Sequence, residues 1–329
     1  AQHSFQRNMN NRNIAVLEFM GIEVLPPCKV TDAFCSDYWK KLEICPFDVI
    51  IISRSEIYSK WIGTVKRLCP KIPVVYDTVD LKFIRTMRWK KFNQEKSLLL
   101  SEYFLQGNKS ITEEKELKLI NEADSVIVVS QLELDVLRNR GISGNKLTVI
   151  SNIHRVTAPS NVTISCSKRN GILFVGHIDH FPNQQAIVFL IKEILPHLIK
   201  NWPLGDDSDP VIHIVGSCAP PKYLLHLMKA KEKYVHFHGW LSEDALQQLY
   251  GKVKVAVAPL EIGAGVKGKI NQAMKLGVPL VGTSIAVEGM YIKDGHNGLI
   301  ADTAEVFASK IISLFTNCEL WRQLSLEGQ

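Results

Sequence analysis

VKVAVAPL-EIGAGVKGK-INQAMKLG-VPLVGTSI, residues 253–285, predicts a buried strand, a glycine-rich loop, a short helix and a second strand. The valines of the first part alternate with smaller or polar residues, which is typical of a strand in a protein core. A glycine-rich loop that leads into a helix presents unpaired backbone N–H groups and the positive end of the helix dipole. Lys267 and Lys269 add positive charge beside them. The stretch therefore predicts a site for a ligand that carries phosphate.

The same loop has two other interpretations. Gly263, Gly268 and Lys269 fit the G-x-x-x-x-G-K spacing of a nucleoside triphosphatase loop. That motif continues with a Ser or Thr that holds magnesium, whereas this chain has Ile270. The plainest interpretation is a glycine turn that joins a strand to a helix and leaves its lysines in solvent. The rest of the sequence is needed to choose between these three interpretations of the loop.

Composition predicts a soluble globular protein with two α/β domains. The chain has 329 residues, of which 46% are hydrophobic and 22% charged. Its formal net charge of +6 is small for this length, which argues against a nucleic-acid-binding protein. Seven cysteines without a C-x-x-C pair argue against zinc and against a disulfide scaffold, so we expect reduced thiols.

The ends of the chain and its hydropathy bear on location. No run reaches the ~20 apolar residues of a membrane span, and no signal peptide opens the sequence. Both ends fall inside helical patterns, so we expect a fragment whose first domain is truncated. A cytoplasmic protein, or one on the cytosolic face of a membrane, is favoured.

Short apolar runs alternate with longer amphipathic runs along the whole chain. Most of the short runs are rich in Val and Ile and apolar on both faces, as are parallel strands covered by helices. This alternation predicts an α/β fold with two Rossmann-like, doubly wound parallel sheets. The predicted strands are 23–25, 48–52, 73–76, 125–129, 147–150, 172–175, 211–215, 235–237, 253–258, 279–281 and 298–300.

A polar segment without helical period divides the sequence in two. We expect residues 1–152 to form one Rossmann-like domain, 153–170 a linker, and 171–329 a second Rossmann-like domain. In the third range, the run 183–200 has the apolar spacing of an amphipathic helix. Ligands of such sheets bind beyond the carboxyl ends of the strands, so the cleft between the two domains is the expected site.

Several motifs, taken in order, resemble one enzyme family. These are ILFVGHIDHFPNQQAI at 172–187, VHFHGWLSEDALQQLY at 235–250, the stretch 253–285 and VEGMYIKDGHNGLIAD at 287–302. In the first half, VVYDTVDL, EADSVIVVS and VISNIH resemble the same group. The chain is similar to family 4 glycosyltransferases over about residues 45–325. The resemblance implies the two-domain GT-B fold, in which an acceptor-side domain, here residues 1–152, faces a donor-binding domain, here residues 171–329.

The resemblance also implies a reaction, which is the retaining transfer of a sugar from a nucleotide diphosphate without bound metal. The expected partner is a nucleotide sugar, whereas the acceptor, be it carbohydrate, lipid or protein, is left open. No cofactor is expected. Charge grows on the nucleotide diphosphate as it leaves, and preorganised amides with a lysine stabilise that charge.

Individual residues take roles from the resemblance. In the glycine loop, Lys267 is expected to be catalytic because it meets the leaving diphosphate, and Gln272 to hold the ribose hydroxyls. The residues expected to bind the donor are Gly176, His177, Trp240, Leu241, Gly265, Val266, Lys267, Gly268 and Gln272.

Two departures from the family pattern keep other functions open. The family's paired glutamates become Ala264 and Gln272, and its Arg and Lys after the first strand become His177 and Pro182–Asn183. A neutral amide holds a diol less strongly than a carboxylate does. The alternatives to a transferase are a GT-B module that binds a nucleotide or glycan without turnover, and the nucleoside triphosphatase.

Asp77 and Asp80 follow a predicted strand at its carboxyl end, on the side where an acceptor would lie. One interpretation is catalytic, with the carboxylates orienting or deprotonating an acceptor hydroxyl. The other is turn formation and helix capping, which Asp often performs.

Histidines and basic residues give weaker signals. His177 and His180 flank Asp179, and His236 and His238 share one face of a strand, but neither set has further ligands at metal-site spacing. We expect ordinary polar or core histidines and no metal site.

Residues 81–105 form a run that is rich in basic and aromatic side chains. It has three interpretations, which are a peripheral membrane contact, a site for an anionic acceptor and a solvated helix face. Glu95 and Glu102 interrupt it, which favours the solvated face. Its basic and aromatic members are Phe83, Arg85, Arg88, Trp89, Lys90, Lys91, Phe92 and Lys96.

Overall fold

The computed structural model describes residues 14–15, 17–22, 47–92, 111–152, 166–203 and 209–329. The chain forms two compact units, Ala1–Ile50 with Ile62–Ile72, and Ile51–Trp61 with Pro73–Gln329. Apart from Ile50, both sheets belong to the second unit. The predicted strand 23–25 and most of the predicted linker lie outside the described residues, and the predicted domain boundaries stay a prediction.

The first sheet has four strands in the order β1-β2-β3-β4. They are β1 (Ile50–Ser53), β2 (Val74–Asp77), β3 (Ser125–Val128) and β4 (Leu147–Val149). β2, β3 and β4 pair in parallel. The helices that alternate with them are α1 (Ser55–Leu68), α2 (Lys82–Phe92), α3 (Ile111–Glu122) and α4 (Gln131–Asn139). Val74 and Tyr76 of β2 are fully buried, because helices cover this sheet.

The second sheet has six strands in the order β10-β9-β8-β5-β6-β7, all paired in parallel. They are β5 (Ile172–Val175), β6 (Ile212–Val215), β7 (Val235–Gly239), β8 (Val255–Ala258), β9 (Leu280–Gly282) and β10 (Leu299–Ile300). Every residue of β8 is buried, as expected for a central parallel strand. Each described strand overlaps a predicted one, and the predicted α/β class is confirmed.

Strand order brings two loops to the same place. The chain winds outward from β5 to β7 and then returns to β8, which lies next to β5 on its other side. Ligands of doubly wound sheets bind at this reversal, beyond the carboxyl ends of the strands. Gly176 and His177 follow β5 there, and the glycine loop follows β8.

The helices of the second sheet include the predicted amphipathic run. They are α5 (Phe181–Phe189), α6 (Leu195–Asn201), α7 (Lys222–Lys229), α8 (Glu243–Lys252), α9 (Gly268–Lys275), α10 (Ser284–Val287), α11 (Ala304–Thr316) and α12 (Cys318–Glu327). A π-helical turn, Leu190–Ile194, joins α5 to α6 just before Pro196. Proline lacks the N–H that a regular helix needs, which accounts for the widened turn. No helix in the described ranges is long and apolar enough to cross a membrane.

A disulfide joins Cys166 to Cys318, so the expectation of reduced thiols is wrong for this pair. The two cysteines are 152 positions apart, and the fold brings the turn before β5 against the start of α12. Spacing along the sequence carries no information about such a contact. Among the described cysteines, Cys69 and Cys218 form no disulfide.

We expect the change Cys318→Ser to lower the free energy of unfolding by about 2–4 kcal/mol, because it removes a cross-link that closes a long loop. Urea unfolding of the oxidised proteins measures this. Cys218→Ser, which breaks no disulfide, is the matched control. A wild-type protein whose unfolding midpoint is unchanged by reducing agent would contradict the prediction.

Candidate functional site

The glycine loop packs against residues that follow β2. Gly265 has a left-handed backbone (φ 68°), and a Cβ there would lie 3.0 Å from Asp80 Cβ. Only glycine fits both conditions. α9 begins at Gly268, so its first backbone N–H groups lie at this loop, as predicted.

Lys267 is buried in the loop, with 9% of its surface exposed. Its Nζ donates to the carbonyl oxygen of Gly265 at 2.7 Å. Burial lowers the pKa of Lys267 to about 8, and the carboxylates of Glu288 and Glu133 oppose that shift. The ammonium therefore lies inside the protein among charged groups from both sheets.

Lys269 is the functional candidate that sequence reasoning undervalued. Its Nζ donates to Asn183 Oδ1 at 2.7 Å and lies 4.5 Å from the centre of the Phe174 ring. Burial lowers the pKa of Lys269 to about 7, and the nearby Lys267 lowers it further. Its G-x-x-x-x-G-K position was the available signal, but that signal pointed to another enzyme class.

The loop after β5 meets Lys269 through Asn183. Asn183 Nδ2 donates to the carbonyl oxygen of His177 at 2.9 Å. A Cβ on Gly176 would lie 2.8 Å from Asn183 Cγ, so the backbone approaches this amide closely. Gly176, His177 and Lys269 thus converge where the strand order reverses.

Arg88 of α2 ties the two sheets together. It is fully buried, and its guanidinium pairs with both carboxylate oxygens of Glu288 at 2.8 and 2.7 Å. It also donates to the carbonyl oxygen of Gly263 in the glycine loop. The expected solvated face of this helix is wrong at Arg88, because Glu288 lies 200 positions away and its pairing cannot be read from sequence. Glu95, Lys96 and Glu102 lie outside the described residues.

A small, partly open cavity with room for about one water molecule adjoins the loop. Ala264, which replaces a family glutamate, is in its wall together with Glu133 and Glu288. Glu133 accepts from the backbone N–H groups of Leu81 and Val129. Burial raises the pKa of Glu133 to about 7.

The two predicted aspartates lie in different surroundings. Asp77 accepts from the Ser53 hydroxyl at 2.7 Å and from the backbone N–H of Val79 at 3.1 Å, which is a turn-forming arrangement. Asp80 pairs with Arg85 at 2.8 Å and lies against Gly265. Only Asp80 is therefore next to the glycine loop.

The predicted ribose and base residues lie near a carboxylate that the sequence pattern did not single out. Gln272 Nε2 donates to Glu243 Oε1 at 3.1 Å. Glu243 is the first residue of α8 and follows Trp240 and Leu241 closely in the sequence. The side chain of Trp240 is 40% exposed. A carboxylate thus stands beside the neutral Gln272.

The histidines form two groups. His213 joins His236 and His238, with 2.9 Å between His213 Nδ1 and His238 Nε2, and burial lowers the pKa of His213 to about 4. Elsewhere, His177 and Asp179 come close to Cys218. The pKa of Cys218 is raised, mainly by its hydrogen bond to Asp179.

Residues 169–317 match the sequence profile of the family described as Glycosyl transferases group 1. A Klebsiella pneumoniae relative, "Uncharacterized 44.6 kDa protein in cps region", is 28% identical over 161 residues. That alignment covers 48% of this chain and 40% of the relative. The chain therefore spans less than half of the curated relative that it matches.

Solved GT-B glycosyltransferases share the fold. TarM has a TM-score of 0.65 at 16% identity, covering 90% of this chain and 53% of TarM. Anabaena Alr3699/HepE in complex with UDP and glucose has a TM-score of 0.66 at 15% identity, covering 96% and 82%. The pneumococcal O-GlcNAc transferase GtfA in complex with UDP and GlcNAc has a TM-score of 0.64 at 16% identity, covering 90% and 55%.

We expect Arg88→Met to lower the free energy of unfolding by about 3–5 kcal/mol, since it removes one partner of an ion pair that is almost wholly buried. Arg85→Met is the matched control on the same helix, because its partly exposed pair with Asp80 contributes about 1 kcal/mol or less. Urea unfolding compares them. Equal losses for the two variants would show that burial of Arg88 carries no special weight.

Proposed function

We propose, because residues 169–317 match the profile of the group 1 glycosyl transferases, that this protein transfers a sugar from a nucleotide diphosphate to an acceptor hydroxyl. The donor diphosphate binds at the glycine loop, and the transfer retains the anomeric configuration without a metal cofactor. UDP in the complexes of HepE and GtfA supports a nucleotide-sugar donor.

The partly buried ammonium of Lys269 is the observation that carries this proposal. A buried cation is unfavourable unless an opposite charge compensates it. Its described hydrogen-bond partner, Asn183, is neutral, and Lys267 nearby is a second cation. An anionic ligand at the loop satisfies both lysines, and the N–H groups at the start of α9 add to the attraction.

A leaving diphosphate gains negative charge as the bond to the sugar breaks. Lys267, Lys269 and the loop amides face that charge in a site shielded from water, where such interactions are strongest. This is the role that a metal ion fills in other sites, and it is the basis for proposing metal-independent transfer. Val266 and Gly268 contribute backbone, while Gly176 and His177 close the opposite side.

The remaining residues divide between the two substrates. Gln272 and Glu243 hold the ribose hydroxyls, so that Glu243 supplies the carboxylate that Gln272 lacks, and the base lies along Trp240 and Leu241. Asp80 orients the acceptor. Asp77 supports the same turn through its bonds to Ser53 and Val79.

A second candidate is a GT-B module that binds a nucleotide sugar without turnover, which Ala264 and Gln272 favour. A panel of uridine, guanosine and adenosine diphosphate sugars separates the two. Sugar transfer or slow donor hydrolysis supports the enzyme, whereas tight donor binding with neither supports the module. Binding of none of these donors would overturn both.

We expect Lys267→Ala and Lys269→Ala each to weaken binding of the preferred nucleoside diphosphate about 10–100-fold, the range of a lost charge-assisted hydrogen bond. Binding of the free nucleoside should hardly change. Isothermal titration calorimetry measures both, with Lys275→Ala at the far end of α9 as control. Equal losses for diphosphate and nucleoside would mean that neither lysine meets phosphate.

We also expect diphosphate binding to take up protons between pH 7 and 9. The pKa of Lys269 is about 7 in the free protein, and a bound anion raises it, so the bound lysine is protonated where the free lysine is not. Affinity should fall as pH rises, by at most about tenfold per unit for one group. Calorimetry in buffers of different ionisation enthalpy counts the protons. Uptake that persists unchanged in Lys269→Met would assign it to another group.

A further inference from the structure

The loops after β5 and β6 bring three metal-ligating side chains together. His177 and Asp179 come from the first loop and Cys218 from the second. One ligand atom from each lies within 4.8 Å of the other two. Sequence reasoning grouped only the first two, because Cys218 follows a different strand.

The backbone beneath these side chains is held in place from both loops. Gly176 N donates to Val215 O at 2.9 Å, and Ile178 N donates to Ser217 O at 3.2 Å. A Cβ on Gly216 would lie 2.2 Å from the carbonyl oxygen of Gly176, so the backbones of the two loops are in direct contact. The spacing of the three ligands is therefore set by the sheet and does not depend on a free loop.

We propose that His177, Asp179 and Cys218 bind one divalent cation of the zinc class. Tetrahedral Zn²⁺ bonds of about 2.0–2.3 Å place neighbouring ligand atoms about 3.3–3.8 Å apart, which small side-chain rotations reach from the observed spacing. Imidazole and thiolate select such a metal, whereas Mg²⁺ and Ca²⁺ prefer oxygen ligands alone. His177 and Asp179 are exposed, which gives the ion a route in and leaves a fourth position for water.

This cation site is separate from the donor chemistry proposed above. It uses the His177 side chain, whereas the link to Lys269 runs through the His177 carbonyl oxygen and Asn183. A bound cation holds the imidazole of His177 near Cys218. Metal binding can therefore be measured with no nucleotide present, and its failure leaves the proposed transfer untouched.

Co²⁺ titration of the metal-free, wild-type protein tests the proposal. We expect about one equivalent to bind with a near-ultraviolet thiolate-to-cobalt absorption band, which Zn²⁺ then abolishes by displacement. Cys218→Ser should remove the band, and Asp179→Asn should weaken affinity by about tenfold or more. Cys69→Ser, which changes the other described cysteine outside the disulfide, is the matched control and should keep the band.

A second measurement avoids any folding defect in the variants. Zn²⁺ should protect Cys218 of the wild-type protein from alkylation, as read by peptide mass spectrometry. A cobalt band that survives Cys218→Ser, or alkylation of Cys218 at the same rate with saturating Zn²⁺, overturns the proposal. Cobalt binding that gives no thiolate band and that His213→Asn abolishes also overturns the proposal. In that case the metal lies at the other histidine group.

Discussion

Positive charge shielded from water is the constraint on which this site depends. Lys267 precedes α9 and Lys269 lies in its first turn, and burial lowers the pKa of both lysines. A cation without water is unfavourable, so the protein surrounds Lys267 with carboxylates from both sheets. Lys269 has only a neutral amide and an aromatic ring as described contacts. The uneven compensation of the two lysines is the reason for proposing an anion site at this loop.

The same constraint shapes the contact between the two sheets. Arg88 reaches Gly263 and Glu288 from α2, while Gly265 leaves room for Asp80. The glycine loop is thus held from the first sheet although it belongs to the second. Because Arg88 holds the carbonyl group of Gly263, the position of the glycine loop is tied to that of α2.

Sequence alone predicted what depends on local pattern. The Val- and Ile-rich runs located the strands, and the loop at 263–268 was identified because helix-terminus chemistry is local. Pairings between distant positions could not be predicted, because they depend on which elements the fold brings together. These are Arg88 with Glu288, Cys166 with Cys318, Lys269 with Asn183 and Gln272 with Glu243, which are 200, 152, 86 and 29 positions apart. The carboxylate expected at Ala264 is missing from that position, yet Glu133 and Glu288 line the same cavity.

The bond between Cys166 and Cys318 encloses β5 through α11, and so contains the glycine loop, both lysines and the His177, Asp179 and Cys218 side chains. A protease that cuts an exposed turn inside this span leaves two fragments covalently joined. The nicked domain keeps its composition and its mass apart from one added water, and it separates only after reduction. The part of the chain that carries the second sheet is thereby held together in oxidising surroundings, where a single cleavage would otherwise leave the segment after the cut attached by noncovalent contacts alone.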